Sequence, residues 1–283
     1  MAKRSICISL FTMCVFCVTL FPRFSESSSA SVFLYSGCTP QRYTPNSPYE
    51  LNLDSLLTSL VNSATYSSYN NFTVVGSTQE DALYGLYQCR GDLAMPDCAA
   101  CVARAVTRAG DICRQTCGGA VQLDGCFVKY DNATFLGVED KAVVLKKCGP
   151  SVGYNPGAMA SRDAVLAGLS GSGGIFRVGG SGDVRGVAQC TGDLSGGECQ
   201  DCLTEAISRL KSDCGTADYG DMFLGKCYAR YSVSGAHDES KAHGKSNHGG
   251  EKTFAIIVGS LAGLAILIIF FAFMSKICGR QGK

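Results

Sequence analysis

Cysteine is the residue type with the most chemistry to offer in this chain, and it recurs at a fixed spacing. Cys89-x8-Cys98-x2-Cys101 returns 101 residues downstream as Cys190-x8-Cys199-x2-Cys202. The same offset relates Cys113 to Cys214, Cys126 to Cys227, Gln88 to Gln189, Tyr130 to Tyr231, and Gly91-Asp92-Leu93 to Gly192-Asp193-Leu194. A gapless offset over that length is a duplication, so the chain holds one module twice. Cys38 and Cys148 open the two frames, giving six cysteines to each module. Zinc is disfavoured as their use, because the three histidines, His237, His243 and His248, all lie outside the modules. Thioredoxin-like exchange is equally weak, since each C-x2-C sits inside a duplicated six-cysteine frame. Disulfides are the expected chemistry, although spacing alone does not give their connectivity. Cys117 stands apart, with Asp218 at its offset position. A buried free thiol is the expectation for it, against an intermolecular link or a non-standard bridge.

The remaining chemistry is sparse. The modules contain no histidine, and their acidic residues show no pattern beyond the repeated Asp92 and Asp193, which read as turn residues after a Gln-Cys strand. Catalysis is therefore not expected. Ser170–Gly182 is glycine-rich but lacks a Walker lysine, so it reads as a flexible loop rather than a phosphate cradle. Asn71 (Asn-Phe-Thr) and Asn132 (Asn-Ala-Thr) are N-glycosylation sequons.

The two ends of the chain set the compartment. Lys3 and Arg4 precede an apolar run from Ile6 to Phe21, and small residues follow as far as Ala30. This is the pattern of a secretory signal peptide over residues 1–30, with Ser28 and Ala30 as the −3 and −1 residues. Phe254 to Met274 is 21 residues without a charge. At about 1.5 Å per residue it covers a hydrocarbon core of about 30 Å as one helix. Lys276, Arg280 and Lys283 follow it, which puts the tail at 275–283 in the cytosol and makes the protein type I. Between these ends, residues 31–253 carry 19 Lys and Arg against 23 Asp and Glu, a net charge of −4. That balance gives no reason to invoke nucleic acid. Ala255, Gly259 and Gly263 fall on one face of the apolar helix as a small-xxx-small stripe suited to helix packing, and Cys278 is placed for S-acylation.

Helices and strands must position the cysteines. Leu53, Leu56, Leu57, Leu60, Val61 and Ala64 follow the period of an amphipathic helix. Cys98, Cys101, Val102, Ala105, Val106 and Ala109 repeat it, as do Cys199, Cys202, Leu203, Ala206, Ile207 and Leu210. Each C-x2-C then puts two sulfurs on one face of a helix's first turn, able to staple it to two neighbours. Phe72–Val75, Leu83–Gln88, Ala120–Tyr130 and Phe223–Tyr231 have the β-branched and aromatic content of short strands. Helices on one face of an antiparallel sheet follow, an α+β module of about 100 residues. The Cys148–Cys190 distance is nine residues shorter than Cys38–Cys89, which predicts a shortened first helix or loop in the second module. Residues 233–253 are polar and apolar-poor, a stalk.

The C-x8-C-x2-C core, the preceding Gln and the following Gly-Asp-Leu resemble the plant cysteine-rich domain called DUF26, or gnk2-homologous domain. Two such domains, at 31–140 and 141–232, then a stalk, one membrane helix at 254–274 and a minimal tail, are similar to the plasmodesmata-located proteins. The resemblance implies two helices on a five-stranded antiparallel sheet in each module. It implies the pairs Cys38–Cys113, Cys89–Cys98 and Cys101–Cys126, then Cys148–Cys214, Cys190–Cys199 and Cys202–Cys227. It further implies a non-enzymatic protein without cofactor or metal, in the plasma membrane at plasmodesmata with its ectodomain in the apoplast. Its role would be to regulate cell-to-cell trafficking through callose deposition, in defence and in viral movement. Implied partners are lateral membrane proteins, homo- or hetero-oligomers of the family, viral movement proteins and a cell-wall glycan. The alternative is an apoplastic carbohydrate-binding or ligand-sensing co-receptor. In a secreted mannose-binding relative the sugar is held by an Asn, an Arg and a Glu. The matching positions here are Thr39, Ala120 and Asp131, then Gly149, Asp221 and Ser232, so that route lacks its amide and guanidinium donors.

Overall fold

The structure, a computed structural model, describes residues 29–233 except 77–81 and 172. Residues 1–28 of the leader, residues 234–253 of the stalk with its histidines, the apolar stretch 254–274 with its small-residue stripe, and Cys278 lie outside the described residues. Among those described, no helix is long and apolar enough to cross a membrane.

Two modules of one design follow each other. The first runs β1 (Phe33–Cys38), α1 (Pro48–Ser63), β2 (Tyr69–Val74), β3 (Leu83–Cys89), α2 (Met95–Ile112), β4 (Gly119–Leu123) and β5 (Cys126–Asp131). The second repeats it as β6 (Val143–Cys148), α3 (Pro156–Leu169), β7 (Phe176–Ser181), β8 (Val184–Cys190), α4 (Gly196–Asp213), β9 (Tyr219–Leu224) and β10 (Cys227–Val233). The sheet orders are β1-β4-β5-β3-β2 and β6-β9-β10-β8-β7, antiparallel throughout. Both helices of a module cover one face of its sheet, the α+β architecture expected from the periodicities.

Local sequence explains the elements. Ser47 caps α1 by accepting the Glu50 N–H, and Asn155 caps α3 by accepting from Gly157 and Ala158. Pro48 and Pro156 each occupy the first helical position, where a missing N–H costs nothing. Ser195 and Glu198 form a capping box on α4, whereas the equivalent Ala94 gives α2 no side-chain cap. The apolar stripes then bury Leu53, Leu56 and Leu60, and the Cys-led faces of α2 and α4, against the sheets.

All six disulfides take the expected pairing. Sheet register accounts for the two that start each long helix. Cys89 and Cys126 lie opposite each other on β3 and β5, as do Cys190 and Cys227 on β8 and β10. The two sulfurs one helical turn apart therefore meet two neighbouring strands at once, and the helix is pinned across both. Each closure contributes about 2–4 kcal/mol in the chain-entropy account. Cys117 is a free thiol, 4% exposed, beneath Tyr49, whose hydroxyl donates to its carbonyl at 2.6 Å.

One expectation needs correction. The glycine-rich Ser170–Gly182 is not simply a flexible loop, because Phe176–Ser181 is the edge strand β7, fully paired to β8. Backbone pairing overrides the weak strand propensity of Gly179 and Gly180, and the Arg177 guanidinium ties down the preceding turn through the carbonyls of Leu169, Gly171 and Gly174. The nine-residue shortening is divided between the first helix, 16 residues in α1 and 14 in α3, and a loop. The β2–β3 connection spans residues 75–82, whereas Gly182 and Asp183 alone turn β7 into β8, so most of the loss is a clipped hairpin. Gly182, at φ +54°, makes that tight turn possible. The segments Ala120–Tyr130 and Phe223–Tyr231 each divide into two strands around a tight turn.

Candidate interaction site at the junction of the modules

The helix-free faces of the two sheets meet, and the repeated residues Gln88 and Gln189 meet with them. The Gln189 amide donates to the Cys89 carbonyl at 2.9 Å, and the Gly192 N–H donates to the Gln88 side-chain oxygen at 3.0 Å. Both bonds run from donors of the second module to acceptors of the first. Gly91 lies against the ring of Phe176 and Gly192 against the ring of Tyr69, two equivalent edge-strand positions. A Cβ at either glycine would come within 2.4–2.7 Å of the opposing ring, so a side chain there would part the modules. The repeated Gln-Cys-x-Gly-Asp motif is thus an interface motif.

Aromatic packing fills the seam. Tyr35 meets Phe223 edge-on at 5.8 Å, Phe223 stacks on Tyr228 at 4.9 Å, and the Tyr228 hydroxyl reaches Gln189. Leu86, Phe127 and Phe135 form a separate apolar cluster on the helix-free face, with Tyr35, Tyr69 and Tyr84 packed on it. A pocket of about 30 Å³ remains between the sheets, enough for a water and too small for a sugar.

Charges lock the arrangement. Arg230 pairs with Asp221 of its own sheet at 2.8 Å and with Asp124 of the first module at 2.6 Å. Arg90 holds the other oxygen of Asp124 at 2.8 Å and also Asp92. Burial opposes the charge of Arg230, but the Asp221 and Asp124 carboxylates outweigh it and push its pKa up. Lys226 is 1% exposed and its ammonium bonds both the Asp193 carboxylate and the Phe135 carbonyl in the segment joining β5 to β6. The Gly137 N–H donates to the same carboxylate at 2.9 Å. Burial works against the Asp193 charge, yet the bonds from Lys226, Thr191 and Gly137 prevail and hold its pKa below the ordinary carboxylate range. Burial draws Lys226 below the ordinary ammonium range, with Asp193 pulling it back. The Phe135 ring has the ammonium groups of Lys129 at 4.6 Å and Lys226 at 5.0 Å from its centroid. The connecting segment is therefore clamped rather than loose.

Sequence reasoning read Asp92 and Asp193 only as turn residues and overlooked Asp124, Asp221, Lys226 and Arg230 as a group. A signal was present: at the 101-residue offset Asp124, Asp221 and Lys226 face Gly225, Ala120 and Gly125, three places where the repeat breaks in charge, while Arg230 faces Lys129 and keeps its charge. An interface between similar but unequal halves puts its specific contacts at such breaks.

The positions matched to the mannose site do not assemble one. Asp221 is held by Arg230, Ala120 stands opposite Lys129, and the Thr39 hydroxyl donates to the Gly118 carbonyl. A cleft of about 230 Å³ lined by Asp124, Arg185, Arg230 and Ser232 opens beside the junction. Among the described residues, no group of His, Cys, Asp and Glu is placed to hold a metal ion. Of the sequons, Asn71 is exposed on the edge strand β2, and Asn132 sits half-buried just after β5.

Comparison with known proteins agrees with this architecture. The profile of the family described as salt stress response/antifungal matches residues 37–133 and 158–234, one match per module. The chain is 62% identical to plasmodesmata-located protein 7 of Arabidopsis thaliana over 91% of its own length and 87% of that protein's. It is 55% identical to plasmodesmata-located protein 6 of the same plant, over 94% and 96%. The crystal structure of the tandem DUF26 ectodomain of the Arabidopsis thaliana receptor-like protein PDLP5 superposes with a TM-score of 0.69 at 47% identity, covering 72% of this chain and all of that one. Duplicated cysteine frame, paired helix-on-sheet modules and end-to-end similarity together place this chain in the plasmodesmata-located protein family of tandem DUF26 proteins, which are receptor-like and not enzymes.

Proposed function

We propose that this protein is a type I membrane protein of plasmodesmata that limits movement of molecules between cells, acting through callose deposition at the channel neck. The observation that carries the reading is similarity to plasmodesmata-located proteins 7 and 6 over more than nine tenths of the chain. The junction is in keeping with it. A disulfide-framed, clamped pair of modules suits a rigid recognition body held above the membrane, and its polar groups at the seam are engaged in structure rather than poised for chemistry. Output would pass through lateral partners, for which the Ala255, Gly259 and Gly263 stripe offers a close-packing face. Defence signalling and encounters with viral movement proteins would follow from that position.

The test is a fluorescent fusion of the full chain in leaf epidermis, scored for punctate co-localisation with callose, alongside spread of a freely diffusing fluorescent protein. Puncta at callose-stained wall pits with reduced spread support the reading. Uniform plasma-membrane signal with unchanged spread would overturn it. Carbohydrate binding is not favoured by the geometry, since Ala120 and Gly149 bring no donor and Asp221 is already committed.

A further inference from the structure

The bond after Ala30 has the small residues that signal peptidase requires, yet Ala30 itself is built into the folded module. It is 3% exposed and belongs to a 3-10 turn, Ser29–Ser31, that lies against α2. Its carbonyl accepts the Gly125 N–H at 2.9 Å and lies 3.3 Å from the Cys101 sulfur. Gly125 leaves room for it: a Cβ there would stand 2.6 Å from the Cβ of Ala30. The second module, where the chain is continuous, shows the same corner filled. Gly225, the equivalent of Asp124, donates to the Ala142 carbonyl at 3.0 Å as Asp124 donates to the Val32 carbonyl at 2.8 Å. Asp140, which like Ala30 stands eight residues before its module's first cysteine, packs against Gly225; the equivalent of Gly125 itself is Lys226. A residue ahead of the first strand is thus a standing part of the design, covering the turn between the last two strands of the hairpin.

We propose that the leader is cut upstream of Ala30, and that Ala30 is retained in the mature protein as a plug over the Cys101–Cys126 disulfide. Ser25 and Ser27 supply small residues at −3 and −1 for a cut that leaves Ser28 as the first residue. The peptidase meets the chain before it folds, so burial does not forbid the later cut. Its consequence would be a module lacking the residue that Gly125 and α2 are shaped to receive.

The proposal is independent of what the protein does at the membrane. Its test is the N-terminal peptide mass of the full chain recovered from plant cells, native and with Ala30→Leu. A mature start at or before Ala30 supports it; a start at Ser31 or later, or an uncut leader, overturns it. Leucine at −1 would block a cut after Ala30 and leave the leader attached, whereas an upstream cut proceeds and changes the mature mass by the substitution alone. For the plug itself, a heterologous leader is used to release the full chain at Ser28 or at Ser31. The shorter form should melt several degrees lower and lose the Cys101–Cys126 bond sooner to reductant. Equal melting and equal reduction would show that Ala30 plugs nothing.

Discussion

At the scale of single residues, the two neighbouring cysteines of the first module separate cleanly. Cys113 is bonded to Cys38, while Cys117, four residues on, is a buried free thiol. Burial, with Asp131 nearby, pushes the Cys117 thiol pKa up, so little thiolate exists to react. A thiol reagent is therefore expected to leave the native ectodomain unlabelled and to label Cys117 on denaturation; labelling at native pH 7 would contradict this. Cys117→Ser should be secreted, at a cost of about 1 kcal/mol, while Cys113→Ser strands Cys38 and should be retained in the secretory pathway. Glycans at Asn71 and Asn132 are a second residue-scale prediction, since both side chains reach solvent. Glycosidase treatment should sharpen gel mobility by two steps, and each Asn→Gln variant by one; unaltered mobility would mean the sequons are skipped. A glycan on β2 would also shield an edge strand from pairing with another chain.

Among the elements, the two C-x2-C helices are a natural experiment in capping. α4 begins with the Ser195–Glu198 capping box, and α2 begins with Ala94, whose N-cap backbone is equally extended but offers no acceptor. Ala94→Ser is expected to raise stability by about 1 kcal/mol and Ser195→Ala to lower it by a similar amount, read as shifts in denaturant midpoint. Opposite signs at equivalent positions are the content of the prediction, and equal signs would refute it. The β7–β8 hairpin makes the complementary point. Its glycines argue against a strand in isolation, but β8 supplies a ladder on one side and Phe176 anchors the strand through the junction.

For the molecule as a whole, the junction decides whether the modules act as one body. Lys226→Met leaves the Asp193 carboxylate buried without its partner and should destabilise by about 3–5 kcal/mol. Adding Asp193→Asn should recover part of that loss. The pH dependence has a definite sign. In acid Lys226 is protonated in folded and unfolded chains alike, so only the carboxylate titrates. Because the folded Asp193 pKa is depressed, its contribution is complete above the unfolded value of about 3.9 and is lost as pH falls through the folded value. In Lys226→Met the stranded carboxylate is instead relieved by protonation, so the gap to the native protein should narrow as pH falls. Thermal melts of both between about pH 3 and 7 would show it; a constant gap would mean that the pair is not the stabilising element.

The sequence by itself determined the duplication, the cysteine frame, the three buried helix faces and the strand content, because these rest on spacing within a module. A C-x2-C at the head of an apolar 3.6-residue period puts both sulfurs on the buried face, and the register of Cys89 with Cys126 then gives each of them a partner. The relation between modules was decided by tertiary structure. Gln88 and Gln189, 101 residues apart, read as half-buried strand residues until the helix-free sheet faces meet and each finds its partner across the seam. Arg230 and Asp124, 106 residues apart, are likewise ordinary surface charges on a linear chain. Local periodicity reports which face of an element is apolar. It carries no record of which distant face will desolvate a charge, and that desolvation is what turns Asp124, Asp193, Lys226 and Arg230 from solvated residues into the lock between two halves.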